Sequence, residues 1–172
     1  RPESSVNAEL GYRWSRVHSA GQLVVFHNTY ADLLGSDLTA TGGLGTGDLF
    51  NGGSAQTSGV ECEWAGELAP NAAHVALPLR LTYTYTLARF TSAFESDFGP
   101  WSVVEAGDYL PYLSPHQGNA QLSIICGDHA LEFNARYASS MRVEAGQATP
   151  DAANATDALT VLDAMYRYAI NE

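Results

Sequence analysis

Several residue types in this chain could do chemistry, and their spacing decides against most of it. Asp97, Glu105, Asp108 and His116 lie along one stretch and are oxygen and nitrogen donors of the kind that hold calcium or a transition metal. Their intervals match no recognised ligand loop, so no metal site is predicted. His18, His27, His74, His116 and His129 include no i, i+4 pair, the spacing that sets two imidazoles on one helix face. Ser139 and Ser140, with a histidine, would supply the parts of a hydrolase, but no serine sits in a nucleophile elbow. The run Gly42-Gly43-Leu44-Gly45-Thr46-Gly47-Asp48 has the glycines of a phosphate-binding turn without its lysine or its framing strand and helix, and reads as a flexible loop. Cys62 and Cys126 match no metal spacing and no disulfide framework, and both fall inside strand-like runs as small apolar residues. The chain is therefore expected to be no enzyme, and to need no cofactor.

Charge narrows the partners. The 172 residues carry 19 acids against eight basic residues, all arginine, for a net charge of -11. Nucleic acid is excluded as a partner, because neutralising phosphates takes a basic stripe and none exists. Charged residues make up only 16% of the chain, below the roughly 25% of a typical soluble domain, while 45% are hydrophobic. No apolar run approaches the ~20 residues of a membrane helix. The start, Arg1-Pro2-Glu3-Ser4-Ser5, lacks the basic and apolar regions of a signal peptide, so any export signal is expected to lie outside these residues.

The elements that must carry whatever function remains are strands. From Leu77 to Phe90, Leu77, Leu79, Leu81, Tyr83, Tyr85 and Leu87 alternate with Pro78, Arg80, Thr82, Thr84, Thr86 and Ala88. Successive side chains of a strand point to opposite sides, so this one has a continuous apolar face and a Thr-rich one. The pattern recurs over 5–15, 57–68, 118–126, 129–139 and 159–170. A further strand is expected over 22–34, with its parity left open because Leu23, Val24, Val25 and Phe26 are all apolar. The fold class is all-β, an antiparallel up-and-down meander of about seven strands.

Alternation alone fits a soluble β-sandwich binding module as well as a membrane barrel. Three features favour the barrel. Short turns near 17–21, 69–73 and 127–128 alternate with long loops near 35–56, 91–116 and 141–157, as periplasmic turns alternate with extracellular loops. The polar face has no lysine and much Thr, Ser, Asn and Gln, as a lumen would. Tyr12, Trp14, Tyr83, Tyr85, Tyr137, Tyr166 and Tyr168 all fall on the apolar parity, where aromatic girdles belong.

The residues also resemble a family. Pro2-Glu3, followed by Glu9-Leu10-Gly11-Tyr12-Arg13, resembles a barrel strand of the TonB-dependent outer-membrane receptors, and Phe50-Asn51-Gly52-Gly53 with Ser58-Gly59-Val60-Glu61 resembles the start of another. Leu81-Thr82-Tyr83-Thr84-Tyr85-Thr86 is similar to the family's Tyr-Thr-Tyr-Thr strand. Gly107-Asp108-Tyr109-Leu110-Pro111-Tyr112-Leu113-Ser114-Pro115-His116-Gln117, the most specific segment, resembles its Leu-Pro strand-entering loop, and Ala158-Leu159-Thr160-Val161-Leu162-Asp163 the strand after it. The segments span nearly the whole chain in the family's order, and the resemblance is to the ferric-dicitrate or siderophore receptor type.

That resemblance implies a 22-stranded barrel in the outer membrane of a Gram-negative bacterium, plugged at its N-terminal side. It implies uptake of a ferric chelate or similar nutrient with energy passed on by TonB, contacted through an N-terminal region that these residues do not include. Residues 1–172 are then expected to be a partial barrel, without the plug and without the first and last strands. Because ferric chelates are often anionic, Arg80, Arg89, Arg136 and Arg142 are candidate ligand contacts, with Trp101 and Tyr109 as loop aromatics. The competing role for the arginines is an ion-pair lattice in the lumen with Glu61, Glu63 and Glu132, and for Tyr109 with Leu110-Pro111 it is packing of the loop onto the strand mouth.

Overall fold

The computed structural model describes residues 2–36, 47 and 49–170. Seven long strands form one antiparallel sheet: β1 (Ser4–Arg16), β2 (Ser19–Ala31), β5 (Ala55–Glu67), β6 (Pro78–Phe90), β9 (His116–Cys126), β10 (His129–Ala138) and β11 (Leu159–Tyr168). They lie side by side in chain order, so every connection joins nearest neighbours. Two short hairpins decorate the loops: β3 (Leu34–Ser36) with β4 (Leu49–Asn51), and β7 (Phe94–Glu95) with β8 (Val103–Val104). A 3-10 turn spans Gly99–Trp101. No helix among the described residues is long and apolar enough to cross a membrane.

Register turns the alternation of single strands into two faces of a sheet. Leu81 stands beside Trp64 and Ala120, and Tyr83 beside Cys62 and Gly118. These rows continue outward to Gly21 and Trp14 on one side and to Ala135 and Leu162 on the other. The ambiguous run in β2 is settled by its neighbours, since Val25 pairs with Leu10 and Val60 and therefore lies on the apolar face, which puts Val24 and Phe26 on the polar one. Strand ends differ from the expectation by a few residues: β2 begins at Ser19 and ends at Ala31, and β9 begins at His116 because His116 still pairs with Tyr85. The connection between β5 and β6 covers 68–77 and exceeds the expected turn. It is held by the Glu67 carboxylate, whose Oε1 accepts from the amides of Ala69 at 2.9 Å and Leu77 at 2.6 Å.

Aromatic rings cover glycines within the sheet. Gly21 lies under the Trp14 indole, so that a Cβ there would come within 2.1 Å of Cζ2 and 2.7 Å of the Glu63 carbonyl oxygen. The glycine lets the ring lie flat along the apolar face, with Tyr12 stacked beside it at 6.0 Å.

A soluble sandwich would cover the apolar face with a second sheet, and among the described residues none does. Leu10 (79%), Leu162 (75%) and Tyr12 (66%) on that face are left exposed. In water an apolar surface of this extent would cost about 25 cal/mol per Å². Lipid removes that cost, which makes exposure the expected state of a barrel wall. The buried core is small and sits at the long-loop end, where Ala55, Phe90 and Val104 pack with Leu33, Phe94, Trp101, Leu110 and Ala145 around them.

Candidate functional site

The polar face is organised by hydrogen bonds that run across strands. Arg13 donates from Nε to Gln22 Oε1 at 3.0 Å, Gln22 donates to Glu63 Oε2 at 3.1 Å, and Arg80 donates to Glu63 Oε1 at 2.5 Å. Further along, Asn119 donates to Asn134 at 2.8 Å, and Asp163 accepts from Asn134 at 3.3 Å and from Arg136 at 2.9 Å. Arg167 lies 3.7 Å from Glu132. The face thus carries the expected ion-pair lattice with a partly different pairing. Glu63 does take Arg80, but Arg136 goes to Asp163 and Glu132 to Arg167, because register sets these partners diagonally opposite on β10 and β11. Arg80 and Arg136 remain largely exposed on this face, with side-chain accessibilities of 58% and 61%. Each guanidinium retains N–H donors beyond its bond to the carboxylate. Nearer the loops Asn28 donates to Thr57 Oγ1 at 3.2 Å, while its own Oδ1 is buried without a partner.

At the long-loop end the ladder of β6 continues into the loops. Phe90 donates its amide to Asp108, Leu110 to Ala88 and Thr86 to Pro115, so that 107–115 runs beside β6 as an irregular strand. The amides of Tyr109 and Tyr112 in turn donate to Gly146 and Arg142, and Val143 to Asn154. The Leu-Pro segment Leu110-Pro111 is therefore packed onto the strand mouth. Asp108 is buried and fixes the turn before it, its carboxylate accepting the Glu105 amide at 2.9 Å. No group of three His, Cys, Asp or Glu that could hold a metal ion occurs among the described residues. The glycine-rich run 42–48 falls outside the described residues except for Gly47.

The candidate ligand contacts separate onto two sides. Phe90 belongs to the parity of Thr82, Thr84 and Thr86, and Trp101 meets it edge-on at 5.1 Å, with Phe94 and Phe98 edge-on at 6.3 Å and 5.9 Å. Trp101 thus belongs to an aromatic cluster above the polar face. Arg89 has the opposite parity, that of Tyr85 and Leu87, and stands directly across from Tyr109. Its guanidinium lies 4.4 Å from the Tyr109 ring centroid and donates to the Tyr109 hydroxyl at 2.5 Å. Arg142 covers the same ring at 5.1 Å and donates to the carbonyls of Gly146 and, at 2.7 Å, Ala148. Sequence reasoning missed this trio because the pairing of Arg89 with Tyr109 depends on the loop continuing the sheet. The parity of Arg89 was nonetheless legible, two residues beyond Leu87.

Aromatic and histidine side chains border the apolar face. His116 lies 2.8 Å from the Tyr83 hydroxyl and 5.0 Å from the Tyr85 ring, and His129 lies 2.7 Å from the Tyr166 hydroxyl and 4.8 Å from the Tyr168 ring. An apolar hollow of about 700 Å³ between Tyr12, Trp14, Trp64 and Tyr83 has its floor at Gly118 and Ala120, so it belongs to the same outer surface. Cys62 and Cys126 are free thiols.

The comparisons agree with this arrangement. The chain resembles the crystal structure of a mutant ferric enterobactin receptor from Pseudomonas aeruginosa, with a TM-score of 0.58 at 21% identity. The match covers 99% of this chain and 24% of that one, so the sequence spans about a quarter of that receptor's length. At this identity the likeness establishes the fold. No curated protein matches the chain. The family described as TonB dependent receptor-like, beta-barrel matches residues 1–172, the full length. Its members are outer-membrane transport proteins and not enzymes, and their barrel staves have an apolar face for lipid and a polar face for the lumen; the chain belongs to this family of TonB-dependent receptor barrels.

Proposed function

We propose that these strands form part of the wall of a 22-stranded receptor that takes up a ferric siderophore or related iron chelate, with energy passed on by TonB through an N-terminal region beyond these residues. The observation that carries the reading is the lumenal polar ribbon. It presents the exposed guanidinium groups of Arg80 and Arg136 on the face where cargo would pass. Anionic chelates need positive charge with spare donors, and guanidinium offers both. The ferric enterobactin receptor that the chain resembles supports iron chelates as the cargo class. Trp101, half-buried in the aromatic cluster above the polar face, is the loop aromatic that this reading sets beside a ligand entering the mouth. Arg89, Tyr109 and Arg142 lie on the other side of the wall. Outer-membrane lipid is the second partner, along the apolar face.

Transport is binding followed by gated passage, with no bond made or broken. The test is uptake of radiolabelled ferric enterobactin and ferric dicitrate by iron-starved cells that carry the complete receptor or its Arg80→Gln/Arg136→Gln double variant. The reading expects uptake of one chelate, lowered severalfold in the variant at equal outer-membrane abundance. Uptake of neither chelate by cells with abundant receptor would contradict the cargo assignment.

A further inference from the structure

Two rows of the lumenal wall run from polar to apolar. Register carries Thr82 across Asn119 and Arg136 to Val161, and Thr84 across Gln117 and Ala138 to Leu159. These residues line an open hollow of about 410 Å³. Its β6 and β9 side is rich in donors. Asn119 gives one amide hydrogen to Asn134 and Arg136 one N–H to Asp163, which leaves each with more, and the Gln117 amide reaches only the Ser114 carbonyl oxygen, at 3.4 Å. The two threonine hydroxyls stand beside them. On the other side Leu159 and Val161 are exposed. A strand added beside β11 would flank them at about 4.8 Å without covering their lumenal side.

Aliphatic side chains left open on a water-facing wall, across a hollow from clustered donors, make a surface for an amphiphilic ligand. Gln117 is the second residue of β9, Ala138 the last of β10 and Leu159 the first of β11, so the hollow lies just inside the long-loop mouth. Its volume is near the low end of the roughly 300–1,000 Å³ of ligand pockets, room for one arm of a large chelate and not for the whole. We infer that this hollow is a cargo subsite that takes one arm of a ferric chelate. The arm's apolar segment lies against Leu159 and Val161, and its carbonyl or phenolate oxygens accept from Gln117, Asn119 and the threonines. The inference rests on the cargo reading above and deepens it: a chelate with aryl or acyl arms is favoured over ferric dicitrate, whose carboxylate arms have no apolar segment.

Val161→Cys, made in complete receptor from which Cys62 and Cys126 have been replaced, tests the subsite. Modification of the new thiol by a water-soluble maleimide is timed in receptor alone, with ferric enterobactin, which has aryl amide arms, and with ferric dicitrate. The inference expects ready modification in receptor alone, slowed severalfold by ferric enterobactin and unchanged by ferric dicitrate. A thiol that is unreactive without chelate would show that another part of the receptor fills the hollow, and would overturn the inference. Equal rates with and without ferric enterobactin, or equal protection by ferric dicitrate, would overturn it as well. Leu159→Ser with Val161→Ser is expected to weaken ferric enterobactin binding about tenfold, read by quenching of tryptophan fluorescence, while heat-modifiable migration reports an intact barrel. Unchanged affinity in that intact variant would contradict the subsite. Uptake separates the two failures, because uptake of ferric enterobactin without protection refutes the subsite alone, whereas uptake of neither chelate refutes the cargo reading and the subsite with it.

Discussion

Val25→Arg and Thr84→Arg place the same charge at the same depth on opposite faces of one sheet. Val25 is the middle residue of Ser19–Ala31 and Thr84 the middle residue of Pro78–Phe90, each a strand of 13 residues. At about 3.3 Å per residue and a tilt of about 40°, such a strand rises roughly 33 Å across the membrane, against an apolar band of about 25 Å. The central residue therefore lies near the bilayer midplane, where an outward arginine costs about 2–4 kcal/mol. Thr84 faces the lumen directly across from Glu61, and an arginine there gains an opposite-charge neighbour in a wet environment. Its net effect is expected to stay within about 1 kcal/mol. The assay is guanidinium unfolding of the complete receptor from phospholipid vesicles, followed by tryptophan fluorescence. Equal costs at the two positions, or a larger cost at Thr84, would refute the assignment of the faces.

Gly21→Ala is expected to destabilise by about 1–3 kcal/mol through overpacking, and Trp14→Ala in the same chain should recover only part of this, because the Glu63 carbonyl oxygen stays 2.7 Å from the new Cβ; the double variant's unfolding midpoint checks it. Phe90→Ala removes the centre of the loop core and should cost about 3–5 kcal/mol locally, seen as faster proteolysis within 91–115 while heat-modifiable migration persists. Asp108→Ala leaves the Glu105 amide without its acceptor, a loss of about 1.5–3 kcal/mol that hydrogen exchange would register as faster opening of 103–110. Arg80→Gln breaks an ion pair whose arginine is largely exposed and which leaves Glu63 its bond from Gln22, so unfolding stability should fall by less than about 1 kcal/mol, and the difference should shrink in high salt.

The sheet was legible because a period of two needs no tertiary information. Leu77 to Leu87 predicted both faces of β6 and, with its companions, the all-β meander. Where four apolar residues stand together, as at Leu23 to Phe26, periodicity says nothing, and only pairing with Leu10 and Val60 fixed the parity. Ion pairing was legible in kind and not in detail, since Arg136 could choose among several acids until register placed Asp163 within 2.9 Å. The loops were least legible. The meeting of Arg89, Tyr109 and Arg142 depends on backbone ladders between 86–90, 107–115 and 142–146 that leave no periodic trace in the sequence. The 68–77 connection exceeded its expected length for a related reason, since the Glu67 side chain rather than a tight turn closes it.

The central claim is that one face of this sheet meets lipid and the other a water-filled lumen. Single cysteines at positions 79 to 87, in complete receptor from which Cys62 and Cys126 have been replaced, can be spin-labelled and reconstituted in vesicles. Accessibility to oxygen, which partitions into lipid, and to an aqueous nickel chelate is then read at each site. The account predicts strict two-residue alternation, with oxygen favoured at 79, 81, 83, 85 and 87 and the nickel chelate at 80, 82, 84 and 86. Alternation in the opposite phase, or equal aqueous access along the whole strand, would contradict it.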